Sequence, residues 1–357
     1  MSFNNTQLIL KQKPGSDFPQ NVNIFEIKKS EVPELKDGQF LIKVYFLSID
    51  PIMRVWMTGA PTYLPTLKPG QVMHSYGVGE VVQTKNDSWR VGDKCVTNSG
   101  IQDYCLMDEQ RQMFCFKIPH KTPLDKLAFY LPLLNNWFVA YQGIVVDGKT
   151  KKGETVVVSS AAGATGIVCV QLAKLAGARV VAIAGGEKKC RFLKEQLGAD
   201  ETIDYKDTNS TFFQKLKKAC PKGVDVYFDN VGDEMLDDVL KIMNLHGRIS
   251  LCGATSNYSD HKNRKGISNY QVTISRRIFI KGVLASEIGP IADKVVPEML
   301  QHVNSGAMKS IEVYFNGVES VPQAMQYCFL GQNVGKVMIK LQAASSISSS
   351  TSTVPKL

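Results

Sequence analysis

No stretch of this chain approaches the ~18 to 20 uninterrupted apolar residues needed to cross a bilayer. Its start, MSFNNTQLILKQKPG, lacks the basic segment, apolar run and small-residue cleavage site of a secretory leader. We therefore expect a soluble, unsecreted protein with no membrane partner. Paired cysteine spacing is also missing: the eight cysteines, at 95, 105, 115, 169, 190, 220, 252 and 328, include no C-x2-C. Scattered thiols argue against a disulfide framework and against structural zinc, and they fit a reducing compartment, with the cytoplasm as the expected location. Acidic residues are fewer than basic ones, 33 against 42, which leaves a net charge of +9. That excess attracts anions such as nucleotide phosphates, and in principle nucleic acid or acidic membrane, without choosing among them.

What remains is ordinary globular material, 44% hydrophobic and 21% charged, which excludes a disordered or fibrous chain. At ~150 residues per domain, the length corresponds to about two domains. The first hundred residues lean toward β-structure: FLIKVYFLSI (40–49) and GVGEVVQT (77–84) are rich in β-branched residues, and TGAPTYLPTLKPG (58–70) punctuates them. After about residue 125 the texture changes. Strand-like runs (TVVVSS at 155, RVVAIA at 179, VDVYFDNV at 224, RISLCGA at 248) alternate with helix-like stretches (IVCVQLAKLA at 167, KKCRFLKEQLG at 188, EMLDDVLKIM at 234). Apolar strands separated by amphipathic helices are what a parallel sheet covered on both faces requires, so this region is read as a doubly wound α/β unit. Further on, KVVPEMLQHVNSGAM (294–308) predicts a long helix. IEVYFNG and GKVMIKL are strand candidates that return to the first domain, and the Ser-rich SSISSSTST (345–353) is expected to be disordered.

The strongest local motif is VVVSSAAGATGIVCVQLAKLAGARVVAIAGG, a strand, tight glycine turn, helix and second strand within the ~30 residues of a dinucleotide-binding unit. Ala161 stands where the first glycine usually does, Gly163 permits backbone approach to a pyrophosphate, and Gly166 lets the helix pack on the sheet. N–H groups opening that helix then face the phosphates. An NAD site usually places a carboxylate about 20 residues on, to grip the ribose 2′-hydroxyl. Here that place holds Ala184, Gly185 and Gly186, with Lys188, Lys189 and Arg191 just beyond, and Glu187 among them. A missing acid and supplied cations favour NADPH over NADH.

Oxidising an alcohol commonly uses an open-site zinc with Cys and His ligands. Only His74, His120, His246, His261 and His302 are available, and the stretch nearest a Gly-His-Glu pattern reads MHSYGVGEV. Catalytic zinc is therefore not expected, and no metal site is assigned. No Tyr-x-x-x-Lys pair stands in a convincing place either. Without these groups, the simplest reaction for a bound hydride donor is conjugate addition to a carbon already activated by a carbonyl, whose developing enolate needs only hydrogen-bond donors. An enone, enal or quinone substrate follows.

Six ordered blocks now carry a resemblance: FLSIDPIMR (46–54), GETVVVSSAAGATG (153–166), AGGEKKCRFL (184–193), ACPKGVDVYFDNVG (219–232), GRISLCGATSNY (247–258) and GQNVGKVMIKL (331–341). Together they resemble the zinc-independent medium-chain dehydrogenase/reductases, and within them the NADPH-dependent alkene reductases of the prostaglandin reductase (leukotriene B4 12-hydroxydehydrogenase), plant alkenal reductase and curcumin reductase type. The implied fold is α/β: a Rossmann doubly wound parallel sheet plus a GroES-like mainly-β catalytic domain. The implied boundaries are 1–124 with 310–342 for the catalytic domain, 125–309 for the dinucleotide domain and 343–357 for the tail.

Position by position, the resemblance implies that Gly163, Ala164, Thr165 and Gly166 meet the pyrophosphate, Lys189 the 2′-phosphate and Tyr205 the adenosine side. Asn230 lies beside the cofactor, and Cys252, Gly253, Ala254, Ser256 and Tyr258 form a loop over its nicotinamide half. Val283, Leu284 and Ala285 offer backbone contacts to the carboxamide, and Asn333 reaches back from the C-terminal segment. Tyr63 is the implied catalytic hydroxyl on the enolate side. Each has a structural alternative: Tyr63 packing on Pro61 or Pro65, Asn230 and Asn333 as turn formers, Tyr205 in the core, Cys252 as filler. The chain departs from the family at Ile52, at Trp137 and Val139 in a segment preceded by Asn135 and Asn136, and at Ser275. These changes are expected to alter the substrate pocket more than the nucleotide site.

The family also implies a homodimer formed through the edge of the nucleotide-domain sheet. The rival from another class is a nucleic-acid or membrane binder on a dehydrogenase scaffold, acting through KLKK (215–218) and HKNRK (261–265). No RNA-recognition motif accompanies these stretches, and no specific nucleic-acid partner is expected. The terminal Pro355-Lys356-Leu357 resembles the peroxisomal Ser-Lys-Leu address, with proline in place of the serine.

Overall fold

The computed structural model of the protein describes residues 3–60, 62–112, 115–258 and 266–341. The Ser-rich tail, the terminal tripeptide and HKNRK lie outside the described residues. The chain divides into two compact units, one built up to Leu134 and again from Glu312, the other from Asn135–Ile311.

The first unit opens with β1 (Asn4–Leu10) and β2 (Phe25–Glu31), an antiparallel pair. Then come β3 (Phe40–Ile49), β4 (Tyr76–Thr84), β5 (Lys94–Asn98), β6 (Tyr104–Met107) and β7 (Phe116–Ile118). β3 pairs antiparallel with both β4 and β6, which explains why FLIKVYFLSI is almost wholly apolar: it is buried nearly throughout its length. The break between units falls at Leu134, later than residue 124. The helix Leu127–Pro132 lies against β3 and β4 and buries Leu127 and Leu131 in the first unit.

In the second unit β8 (Thr155–Val158), β9 (Arg179–Ala184), β10 (Glu201–Asp204), β11 (Val224–Asp229), β12 (Met243–Leu251) and β13 (Phe279–Gly282) form one parallel sheet in the order β10-β9-β8-β11-β12-β13. The order reverses between β8 and β11, and in open α/β sheets that reversal opens the ligand crevice at the carboxyl ends of the strands. Val156, Val157 and Val158 are fully buried, as a strand covered on both faces must be. The helices Ala164–Leu175, Glu187–Leu197 and Asp233–Leu240 follow β8, β9 and β11. The last is shorter than EMLDDVLKIM predicts. The Ile242 carbonyl accepts the Val224 N–H at 3.0 Å and Met243 already pairs with Val224, so the start of β11 draws this segment into the sheet.

The chain then returns to the first unit as β14 (Glu312–Asn316) and β15 (Lys336–Lys340), parallel to each other, with β15 antiparallel to β3. A buried ion pair marks this join. The Lys336 ammonium meets the Asp50 carboxylate just beyond β3 and donates to the Ile49 carbonyl at 3.3 Å, while the Ser48 hydroxyl also donates to Asp50. Two of the six sequence blocks, one around DPIMR and one around GKVMIKL, are thus joined by this ion pair as well as by the pairing of β15 with β3.

Candidate functional site

β8 ends at Val158 and the chain turns through residues 159–163. Ser160 takes a left-handed conformation, φ 48°, uncommon for a residue with a side chain. The Ala161 N–H is tied to the Ile183 carbonyl of β9 at 2.8 Å and the Gly163 N–H to the Ser160 carbonyl at 3.0 Å. Gly163 opens the helix Ala164–Leu175 without any side-chain cap, so the first N–H groups and the positive end of the helix dipole are presented to whatever lies there. A methyl group on Gly166 would stand 2.4 Å from the Ser160 carbonyl oxygen, which only glycine avoids. The sequence reading of Gly166 as a packing glycine matches this approach.

The end of β11 carries a group that the sequence reading passed over. Asp229 is 0% exposed. Its Oδ1 accepts from the hydroxyls of Ser159 (2.9 Å) and Tyr227 (2.8 Å) and from the Val231 and Gly232 N–H groups (3.0 Å each). Burial first, then the adjacent carboxylate, drives the Tyr227 phenol well above its ordinary range, so it stays a donor. Asn230 is tied into the same knot: its N–H donates to Ser159 Oγ and its side-chain amide to the Ser159 carbonyl, both at 2.7 Å. Its carbonyl accepts from Thr255. The turn-forming alternative for Asn230 therefore describes bonds that exist. The only signal for Asp229 in the sequence was its position at the end of an apolar strand.

Past β9, Gly185 and Gly186 lead into the helix Glu187–Leu197. The strand end bears no acid, but one reaches it from β10: Asp204 Oδ1 accepts from the Gly186 N–H (2.8 Å) and the Lys206 N–H (2.9 Å). One oxygen of that carboxylate is thus engaged by two backbone N–H groups. Of the expected cations, Arg191 pairs with Glu187 at 2.5 Å on the exposed face, Lys188 is exposed, and Lys189 is half-buried in the first turn. Tyr205 is 50% exposed, which removes its core reading. A methyl group on Gly185 would lie 2.9 Å from the Tyr205 hydroxyl and from Lys206 Cε, so both side chains cover that glycine.

The loop after β12 is anchored to the same knot, since the Cys252 and Gly253 N–H groups donate to the Asp229 carbonyl at 2.8 and 3.1 Å. Burial and then Asp229 push the Cys252 thiol up to about 12, so it is no nucleophile, in keeping with the filler reading. The Ser256 hydroxyl donates to the Val231 carbonyl at 2.6 Å, and the Tyr258 hydroxyl lies 3.5 Å from the Ala254 N–H. Burial raises the Tyr258 phenol. Beyond β13, Val283 is buried and its N–H donates to the Leu251 carbonyl at 3.0 Å. Leu284 is exposed and Ala285 begins the short helix Ala285–Ile291. Asn136, also unanticipated, donates through Nδ2 to Thr165 Oγ1 at 3.1 Å.

The remaining two positions lie in the first unit. Asn333 donates to the Gly335 carbonyl at 2.7 Å, the geometry of a turn former. Tyr63 is half exposed, its ring edge-on to Trp56 with centroids 6.3 Å apart. Trp56 in turn meets His74 edge-on at 5.9 Å, and its buried Nε1 has no hydrogen-bond partner among the described residues. Burial lowers the His74 pKa, which keeps the ring neutral at pH 7. In the basic stretch KLKK, Lys215 is mostly buried and pairs with Asp207 at 3.0 Å, so it belongs to the fold and not to a nucleic-acid surface. Among the described residues no three His, Cys, Asp or Glu side chains are placed to hold a metal ion, and no helix is long and apolar enough to cross a membrane.

A parallel sheet with a phosphate-type helix start, beside a separate mainly-β unit, defines a medium-chain dehydrogenase/reductase. Comparison with known proteins agrees. A family described as the N-terminal domain of oxidoreductases matches residues 6–114, and one described as zinc-binding dehydrogenase matches residues 164–305. The NADPH-dependent curcumin reductase of Escherichia coli is 33% identical over 94% of this chain and 97% of its own length. The NADP(+)-dependent 2-alkenal reductase of Nicotiana tabacum is also 33% identical, over 94% and 97%. The crystal structure of CurA in complex with NADPH from Vibrio vulnificus matches with a TM-score of 0.86 at 31% identity, over 94% of this chain and 99% of that one. The chain belongs to the zinc-independent alkene reductases of the medium-chain dehydrogenase/reductase family.

Proposed function

We propose that this protein reduces the activated C=C bond of α,β-unsaturated ketones and aldehydes with NADPH. The observation that carries the reading is the end-to-end likeness to reductases of this class, one of them solved with NADPH. The residues fit that cofactor: an uncapped helix start, a tight turn whose backbone leaves no room for a Cβ at Gly166, and a strand end without an acid of its own, where one oxygen of Asp204 is engaged by backbone N–H groups. When bound, NADPH supplies a hydride to the β-carbon of the substrate. The N–H groups of Ala164, Thr165 and Gly166 hold the pyrophosphate, with the Gly163 backbone approaching it closely, and Lys189 and Tyr205 hold the adenosine end with its 2′-phosphate. Asn230, the 252–258 loop, the backbone of residues 283–285 and Asn333 orient the nicotinamide half. As the π electrons move onto the carbonyl oxygen, the Tyr63 hydroxyl donates a hydrogen bond to it, and a proton from this tyrosine or from water completes the saturated product.

Consumption of NADPH with an enone such as curcumin, with an enal and with a quinone tests the reading directly. We expect turnover of enones and enals, poor use of NADH, and a Lys189→Ala variant that loses about tenfold in NADPH affinity while NADH binding is unchanged. Failure to bind either cofactor at millimolar concentration would overturn the proposal, and turnover of quinones alone would redirect it to quinone reduction.

We propose further that two copies associate through β13. This edge strand exposes Phe279, and the helix before it, Gln271–Arg276, exposes Ile274 (72%), with Tyr270 at its start. Light scattering of the purified protein should report a dimer that Ile274→Asp dissociates. A monomeric wild type would remove the proposal.

A further inference from the structure

We propose that Asn136 is a positioning residue for the cofactor pyrophosphate, acting through the hydroxyl of Thr165; the inference rests on the NADPH reading above. Asn136 lies in the short helical segment Leu133–Trp137, within the second unit, and is 8% exposed. Its Nδ2 donates to Thr165 Oγ1 at 3.1 Å, while its buried Oδ1 has no hydrogen-bond partner among the described residues. Thr165 is the second residue of the uncapped helix Ala164–Leu175, and among the described residues its hydroxyl makes no other hydrogen bond.

The chemistry of the pair has a direction. An amide nitrogen only donates, so Thr165 Oγ1 is the acceptor in this contact and its single proton is left to donate elsewhere. Beside it stand the first N–H groups of the helix, also donors. A cluster made only of donors matches a ligand made only of acceptors, and a pyrophosphate presents nothing but acceptor oxygens. A buried amide serving the fold alone would be expected to have both its ends paired. Here the donor end is engaged and the acceptor end is orphaned, an arrangement that favours the hydroxyl's orientation over the amide's own satisfaction. The departure from the family at Asn136 thus falls on a residue bonded to the opening turn of the helix Ala164–Leu175.

The test is a double-mutant cycle on the full chain, reading NADPH affinity by calorimetry. Asn136→Leu and Thr165→Val should each weaken NADPH about tenfold, and the double variant should be no weaker than either, because one removes the orientation and the other the hydroxyl of the same hydrogen bond to the ligand. Thr165→Ser, which keeps the hydroxyl, should bind like wild type. In Asn136→Leu the loss should appear in the KM for NADPH more than in kcat. Adenosine 2′-monophosphate, which lacks the pyrophosphate, should compete equally well against all of them, which a general loosening of the domain would not allow. Asn136→Asp covers the case in which Asn136→Leu fails to fold: a carboxylate accepts the Thr165 proton and faces the phosphates, so it should weaken NADPH further. Unchanged NADPH affinity in the folded Asn136 variants, or additive losses in the double variant, would overturn the role of Asn136. A wild-type protein that binds no NADPH would instead overturn the functional reading on which it rests.

Discussion

Asp50 and Asp229 are both buried where a strand ends, β3 in the first unit and β11 in the second, yet they meet different company. Asp50 faces a cation, the buried ammonium of Lys336, with Ser48 as a further donor. Asp229 has no cation among the described residues. It is surrounded by neutral donors, two hydroxyls and two backbone N–H groups. The first arrangement neutralises charge and fastens a distant chain segment to the sheet. The second fixes the path of the backbone at the strand end where a ligand belongs, and holds Ser159, Asn230 and the start of the 252–258 loop around one point. Buried charge is thus a joint in one unit and a template in the other.

The largest effects should come from removing these carboxylates. Asp50→Ala leaves the Lys336 ammonium buried and unpaired and should cost about 3–5 kcal/mol in denaturant unfolding. An Asp50→Leu, Lys336→Met double variant, with both charges gone, should recover much of that loss. Asp229→Ala strands several donors at about 1–3 kcal/mol each before relaxation and should destabilise to a similar extent. The two are told apart by cofactor affinity: measured where both variants remain folded, Asp229→Ala should weaken NADPH binding and Asp50→Ala should leave it unchanged. Equal losses of affinity would erase the distinction between joint and template.

The parts of this molecule that could be read from its sequence are those carried by contiguous pattern. TVVVSSAAGATG announces a buried strand and a glycine turn because covered strands must be apolar and the Gly166 approach admits no Cβ. FLIKVYFLSI coincides with β3 for the same reason. What escaped reading depends on neighbours distant in the chain. Asp229 resembles any turn acid until Ser159, seventy positions away, is brought to it. Asp204 could not be matched to the end of β9 because β10 is short and half-exposed, with little hydrophobic signal. Asn136 looks like a departure in a substrate segment until folding sets it on Thr165. Arg191, counted among the phosphate-binding cations, is paired with Glu187 one helical turn away, a contact that its spacing already permitted.

A purely kinetic effect belongs to the first unit's exposed loop, and it extends the comparison. Tyr63 is half exposed with its ring edge-on to Trp56, and Tyr63→Phe keeps that ring contact. It should leave NADPH affinity unaltered, because none of the phosphate-site donors belongs to that loop. Its neighbour His74, held neutral by burial, offers no charge to replace the lost hydroxyl. If the phenol donates to the enolate oxygen only as charge develops there, kcat and kcat/KM for an enone should fall together by about a hundredfold. A rise in KM with kcat intact would make Tyr63 a substrate-binding residue, and unchanged kinetics would remove it from the reaction. Either result would leave the mainly-β unit as a holder of substrate and shift the chemistry entirely onto the strand ends of the parallel sheet.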